Sequence, residues 1–180
     1  MLIEARNNRV STISVLLPIY YKESVDVIDK CLNSIITQTI RPDEIVCALD
    51  DPSNPEIEKT IDEFARQCEI KIVKCYCKRG SGLGAVLNVG VKNCSCDYIA
   101  RMDADDIADV TRLEKERDFL NANKDVDVVG SNIAEFEKDP KSIIAERKVP
   151  AEDVECKEML KRRDPINHMT AMYRKESVLR

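Results

Sequence analysis

The stretch Tyr98-Ile99-Ala100-Arg101-Met102-Asp103-Ala104-Asp105-Asp106 decides the architecture. An extended apolar run ends in three aspartates within four residues. Like charges so close repel one another, and burying them without a counter-charge is costly. A strand end that tolerates such a cluster is suited to holding a divalent cation, which points to metal-assisted chemistry on a phosphorylated substrate.

Upstream of this stretch, strand and helix signals alternate. Ile13 to Pro18 is a continuous apolar run closed by proline, as in a parallel strand buried on both faces. Val25, Ile28, Leu32, Ile35 and Ile36 recur at helical spacing, and Ile45 to Leu49 reads as a second strand ending at Asp50-Asp51-Pro52. Asn54-Pro55 is a helix start, with asparagine as cap and proline in the first turn. Ile57, Ile61, Phe64 and Cys68 then share one helix face. Ile70 to Tyr76 predicts a third strand, Ser81 to Val91 a short helix, and Tyr98 to Met102 the fourth strand.

Downstream, Thr111-x-x-Glu114 has the form of a capping box opening a helix through Leu113, Phe119 and Leu120. Asp127 to Gly130 begins a fifth strand. The pattern is less regular beyond Glu137, with a helix expected over Glu152 to Leu160 and a strand over His168 to Tyr173. This alternation predicts an α/β sandwich with a mostly parallel central sheet. Ligands of such sheets bind beyond the carboxyl ends of the strands. Pro18-Ile19-Tyr20-Tyr21, Asp50-Asp51 and Asp103 to Asp106 are therefore expected to converge on one crevice.

Composition narrows the class. The 180 residues suffice for one domain with a sizeable core. A net charge of −5 argues against a nucleic-acid partner, which wants a basic face. No run of 18 apolar residues is present, and Met1 to Val10 has no apolar signal segment, so a cytoplasmic chain is expected. The eight cysteines do not form a disulfide pattern. Cys75/Cys77 and Cys94/Cys96 are C-x-C pairs, whereas zinc sites prefer C-x₂₋₄-C, so the thiols read as reduced, small apolar residues.

Other readings of these motifs weaken on inspection. Gly80-Ser81-Gly82-Leu83-Gly84-Ala85 satisfies G-x-G-x-x-A, but Lys78-Arg79 separate it from its strand. A loop opening a helix, with Lys78 or Arg79 near a phosphate or base, fits better. Asp103, Asp105, Asp109 and Glu114 match four positions of a calcium loop, yet Ala108 occupies the position that needs glycine and a strand precedes it. A metal-free acidic loop and a phosphatase with an aspartyl nucleophile remain as alternatives. A nucleotidyltransferase would want a Gly- and Lys-rich loop after the first strand, and Pro18 to Glu23 is not one. His168, the one histidine, is either structural or lines the site.

Taken together, these residues resemble glycosyltransferase family 2, the nucleotide-sugar enzymes of GT-A type. Ile13 to Tyr21 is similar to that family's opening strand and P-x-Y segment. Leu32-x-Ser34-Ile35-x-x-Gln38-Thr39 before Glu44-Ile45-Val46 resembles its helix and second strand. Asp50-Asp51-Pro52-Ser53 stands where the family usually has Asp-Asp-Gly-Ser. Gly82-Leu83 with Ala85-x-x-Asn88-x-Gly90 resembles its glycine-rich helix, and Asp103-Ala104-Asp105-Asp106 its D-x-D signature. Asn167-His168 before Ala171 to Arg174 is similar to the acceptor-side strand.

The resemblance implies a GT-A type, Rossmann-like αβα sandwich. It also implies a nucleotide-diphosphate sugar donor, usually UDP-linked, bound with Mn²⁺ or Mg²⁺. Carried over residue by residue, Pro18 and Tyr20 would wall the nucleoside pocket, and Asp51 with Asp50 would read the base. Arg79 would lie near base or phosphates. Asp103 and Ala104 would meet the donor, Asp105 with Asp103 would take the metal, and His168 would face the acceptor.

Two departures are Pro52 for the usual glycine and Leu87 for an arginine often found before Asn88. The third is the absence of the family's catalytic Asp, often in a Glu-Asp pair. The expectation is a single truncated domain over residues 1–180. Residues 1–106 would form the nucleotide-sugar half and 107–180 the start of the acceptor half, with the base beyond Arg180. The implied reaction is inverting, metal-dependent transfer to a carbohydrate or lipid-linked hydroxyl in polysaccharide or glycolipid synthesis, at the inner face of a membrane. The alternative is a non-catalytic nucleotide-sugar-binding module.

Overall fold

A computed structural model describes residues 10–137 and 139–179; most of the segment read above for a signal sequence, and Arg180, lie outside these. The first strand, β1 (Ile13–Ile19), has all seven residues buried. It is followed by α1 (Val25–Ile36), β2 (Glu44–Asp51), α2 (Pro55–Gln67), β3 (Lys71–Lys78), α3 (Leu83–Asn93) and β4 (Tyr98–Arg101). Then come α4 (Arg112–Ala122), β5 (Val128–Val129), the hairpin β6 (Ile133–Phe136) and β7 (Ile143–Arg147), α5 (Asp153–Leu160), β8 (Met172–Arg174) and α6 (Lys175–Val178).

The main sheet runs β3-β2-β1-β4-β8-β5. β1, β2, β3 and β4 are parallel neighbours, while β8 runs antiparallel to both β4 and β5. Alternation along the buried strands divides the core into two layers. Val15, Leu17, Ile45, Leu49, Tyr98 and Ala100 pack with α1, α2 and α4 on one face. Leu16, Val46, Ala48, Cys75 and Ile99 pack beneath α3 on the other. The result is the αβα sandwich expected from the sequence.

Helix α2 starts as read. Asn54 Oδ1 accepts from the Glu56 amide at 3.0 Å, with Pro55 in the first turn. Six of the eight thiols are buried as small apolar groups, and burial pushes those of Cys47 and Cys94 up to about 12.

Several boundaries differ from the sequence reading. β1 continues through Pro18 to Ile19, so the proline lies inside the strand. α3 starts at Leu83, since Gly80 and Gly82 have φ of +85° and +84°, where side chains with a Cβ are strained. Thr111 makes no side-chain cap; its hydroxyl donates to Asp109 Oδ1 at 2.6 Å. Phe119 is exposed, because Leu113 and Leu120 alone fill that helix's core positions. The expected fifth strand shrinks to Val128–Val129. His168–Thr170 is a 3₁₀ turn, and only Met172–Arg174 of that segment is strand. The β6–β7 hairpin was not anticipated.

Gly90 is where α3 touches the sheet. A Cβ there would lie 2.3 Å from Leu16 Cδ1 and 3.3 Å from Ala48 Cβ. Leu16 is fully buried and has little room to move. Gly90→Ala is therefore expected to destabilise by about 1–3 kcal/mol through overpacking, despite alanine's better helix propensity. Gly84, in the same helix with open space around it, is the control: Gly84→Ala should leave the denaturation midpoint unchanged or raise it.

Candidate functional site

The chain leaves the sheet just after β4. The Met102 amide donates to Leu16 O at 3.0 Å, and Asp103 follows. Arg101, buried to 3% exposure, turns its guanidinium onto Asp103, two residues on along the extended chain. Nη1 donates to Asp103 Oδ2 at 3.1 Å and Nη2 pairs with Oδ1, a two-pronged arrangement that fixes the carboxylate and offsets its charge. Arg112 braces this from α4. Its Nη2 donates to Arg101 O at 2.7 Å, while its Nε pairs with buried Glu116 at 3.1 Å.

Asp103, Asp105 and Asp106 each offer a carboxylate oxygen, and these lie within 4.8 Å of one another. Asp105 is exposed. Asp106 Oδ2 is buried and has no hydrogen-bond partner among the described residues. Burial, then the charges of Asp103 and Asp105, push the Asp106 carboxyl up to about 6 against Arg101 and Arg112. Glu23 faces the same cluster: burial first, then Asp105 and Asp103, raise its carboxyl. An orphaned buried oxygen among converging carboxylates fits a hard divalent cation such as Mg²⁺ or Mn²⁺.

The acidic loop is gripped from α1. Gln38, buried, donates from Nε2 to Asp109 O at 2.7 Å and accepts the Leu113 amide on Oε1 at 3.1 Å. Ser34 Oγ accepts the Ala108 amide at 3.0 Å, and the Thr39 amide donates to Val110 O at 2.8 Å. Gln38→Leu keeps the bulk but strands the buried Leu113 N–H and the part-buried Asp109 carbonyl, a loss of about 1–3 kcal/mol. Denaturant unfolding should show this loss, with amide exchange of Leu113 rising more than that of the β1 and β2 amides.

The second and first strand ends meet beside this loop. Asp50 is buried and its Oδ2 accepts the Tyr21 amide at 3.3 Å; Asp51 is exposed. Tyr20 is half exposed and meets Tyr21 edge-on at 4.7 Å between ring centroids. Arg79 lies 3.8 Å over the Tyr21 ring and also donates to Pro52 O. Pro18 is buried within β1 and Ala104 in the core, so Ala104's side chain is turned away from solvent.

Tyr20, Asp50, Asp51, Arg79 and Asp103 to Asp106 thus share the carboxyl edge of the sheet, as the sequence implies. His168 does not join the acids directly. It lines a separate cavity of about 270 Å³ with Arg147 and Arg163. Sequence reading gave no role to Arg101, Glu23 or Gln38, and it counted Asp106 in the acidic cluster without naming it among the metal ligands. Asp106 and Arg101 could have been found from adjacency to the D-x-D; Gln38's loop partners lie more than seventy positions away.

This fold, with tyrosines at the end of its first strand and acids at the ends of its second and fourth, defines a GT-A type domain. The chain belongs to glycosyl transferase family 2, whose model matches residues 14–179. It is 37% identical over 166 residues to an uncharacterized glycosyltransferase of Haemophilus influenzae, covering 92% of this chain and 61% of that protein. It is 36% identical over 169 residues to the Escherichia coli UDP-Gal:alpha-D-GlcNAc-diphosphoundecaprenol beta-1,3-galactosyltransferase, covering 93% and 60%. The chain thus spans about 60% of the length of these relatives.

Among solved structures, S. aureus TarS 1-349 in complex with UDP-GlcNAc matches with a TM-score of 0.69 at 20% identity, over 93% of this chain and 46% of that one. The mannosyltransferase PcManGT from Pyrobaculum calidifontis, in complex with GDP-Man and Mn²⁺, matches with a TM-score of 0.60 at 19% identity, over 71% and 37%. Both support the fold.

Proposed function

We propose that this chain forms the donor-binding part of an inverting, metal-dependent glycosyltransferase that uses a UDP-sugar. The observation that carries the reading is the convergence of the Asp103–Asp106 carboxylates with Asp50, Asp51, Tyr20 and Arg79 on one strand edge. The half-exposed Tyr20 ring offers a face for a nucleobase, and Asp51 an acceptor for an imide N–H such as that of uracil. Arg79, already cationic over Tyr21, supplies positive charge for base or phosphate.

Asp105 and Asp106 would hold Mn²⁺ or Mg²⁺, which when bound neutralises charge on a diphosphate leaving group. Arg101 keeps Asp103 oriented, so this carboxylate is preset for the ribose or the ion. A carboxylate base would take the acceptor proton; this reading places it in the part of the relatives' length that the chain does not span. The acceptor would be a carbohydrate hydroxyl on a lipid diphosphate, as named for the Escherichia coli relative. A lipid-linked acceptor of that kind would bring the enzyme to the inner face of a membrane; no helix among the described residues is long and apolar enough to cross one.

Calorimetric titration of UDP, GDP and CDP with Mn²⁺ and again with EDTA tests the reading. UDP is expected to bind best and only with metal. Equal binding in EDTA, or preference for GDP or CDP, would overturn the metal or the base assignment respectively.

A further inference from the structure

The cavity around His168 is unused by the donor site described above. Its volume of about 270 Å³ lies just below the 300–1,000 Å³ usual for small-molecule pockets, so it suits a compact group rather than a whole nucleotide sugar. Arg147 enters from the end of β7, Arg163 from the segment after α5, and His168 from the 3₁₀ turn. Among the described residues the Arg163 guanidinium has no hydrogen-bond or ion-pair partner. Arg147 gives one Nη to Glu135 Oε1 at 2.7 Å, leaving the rest of its guanidinium unspent. Asp164 also lines the cavity, with Oδ1 engaged by the Ile166 amide at 3.0 Å.

The walls are fixed in place. Buried Asn167 donates to Ser131 O at 3.0 Å. Gly130 packs so closely beneath Ile166 that a Cβ there would lie 2.4 Å from its Cγ2. The turn is also tied to the donor edge: the amide of Arg101, which grips Asp103, donates to Ala171 O at 2.8 Å. Two exposed guanidiniums and an exposed imidazole lining one small cavity offer an anion site, since guanidinium matches phosphate oxygens in both charge and geometry.

We propose that the cavity lined by Arg147, Arg163 and His168 binds the diphosphate of the acceptor, holding it on the side of the sheet edge that carries Asp103. This deepens the proposed function and rests on it for the acceptor's identity, but the anion site stands on its own geometry. The same chemistry could come from the donor's diphosphate, in which case UDP titrated with Mg²⁺ would shift the His168 signal and compete with pyrophosphate; no such shift is expected.

His168 is the one histidine, so its imidazole signal in a proton NMR spectrum needs no assignment by mutation. Inorganic pyrophosphate would be titrated into the chain in EDTA, with orthophosphate as comparison. A saturable shift of the His168 signal is expected, tighter for pyrophosphate, and weakened at least tenfold in Arg163→Met and Arg147→Met. Asp105→Ala should bind pyrophosphate as the parent does. Both arginines are exposed, and a melting curve confirms that the variants fold. No saturable shift, equal affinity for orthophosphate, or loss in Asp105→Ala but not in the arginine variants would each overturn the proposal. If UDP fails to bind while the pyrophosphate shift persists, the donor reading fails and the anion site survives.

Discussion

Asp105→Ala is expected to abolish metal-dependent UDP binding, lowering the apparent affinity measured with Mn²⁺ by about 100-fold or more, to the level seen in EDTA. The reason lies in how the three carboxylates are disposed. Asp103 is occupied on both oxygens by Arg101, and Asp106 keeps one oxygen buried and unpartnered. Asp105 is the exposed member of the set, the one a solvated ion meets first. Removing it leaves a half-buried Asp106 and a neutralised Asp103, too little oxygen and charge to hold a hard cation against water. Charge stabilisation on a diphosphate by a bound ion is worth several kcal/mol, hence the size of the effect. Asp103→Ala should act differently. It frees Arg101, a buried guanidinium with its partner removed, so folding stability falls along with binding. Calorimetry and thermal denaturation on both variants check this. Asp105→Ala that binds UDP and Mn²⁺ like the parent would remove Asp105 from the site.

How much of this was legible in the sequence depends on how local each signal is. β1 and β2 could be read because strands buried on both faces are nearly all apolar, and α2 because Asn54 and Pro55 announce its start. The acid clusters were readable as a site because α/β topology sends the ends of β1, β2 and β4 to one edge. The hairpin of β6 and β7 was not. All five residues of β7 are exposed, so no burial pattern marks it, and its pairing slips between Glu135 and Phe136. The 3₁₀ turn at His168 was masked by apolar neighbours that suit a strand. Thr111 looked like a cap, but Asp109 captures its hydroxyl. The grip of Gln38 on Asp109 and Leu113 depends on α1 lying beside the loop, which only tertiary packing decides. Arg101 sits two positions before Asp103 on an extended chain, so their shared side was implicit in strand geometry.

The largest stability effect is expected at the opposite end of the sheet, at Glu44. This glutamate opens β2 and is 1% exposed. Its carboxylate accepts from Ser14 Oγ at 2.7 Å, Ser95 Oγ at 2.7 Å, the Ser95 amide, and Lys71 Nζ at 2.8 Å. These partners tie β1, β3 and the turn before β4 to β2. Burial pushes the carboxyl up, but the hydrogen bonds from Lys71, Ser14 and Ser95 outweigh it and bring it down to about 2. A carboxyl lowered on folding contributes stability that is present above its unfolded value, near 4.5, and is lost as pH falls through its folded value, near 2. At about 1.4 kcal/mol per pH unit of displacement, the contribution at neutral pH is about 3 kcal/mol. Glu44→Gln keeps the shape and loses the charge, and its amide N–H₂ faces donors instead of accepting from them. Urea unfolding at pH 7 should show the variant less stable by about 3 kcal/mol. The gap should narrow steadily below pH 4.5 and level off below pH 2, where the folded parent is neutral at this position and only the mismatch of the amide N–H₂ with its donors is left. A gap that stays constant with pH would mean that Glu44 contributes by packing and not by charge.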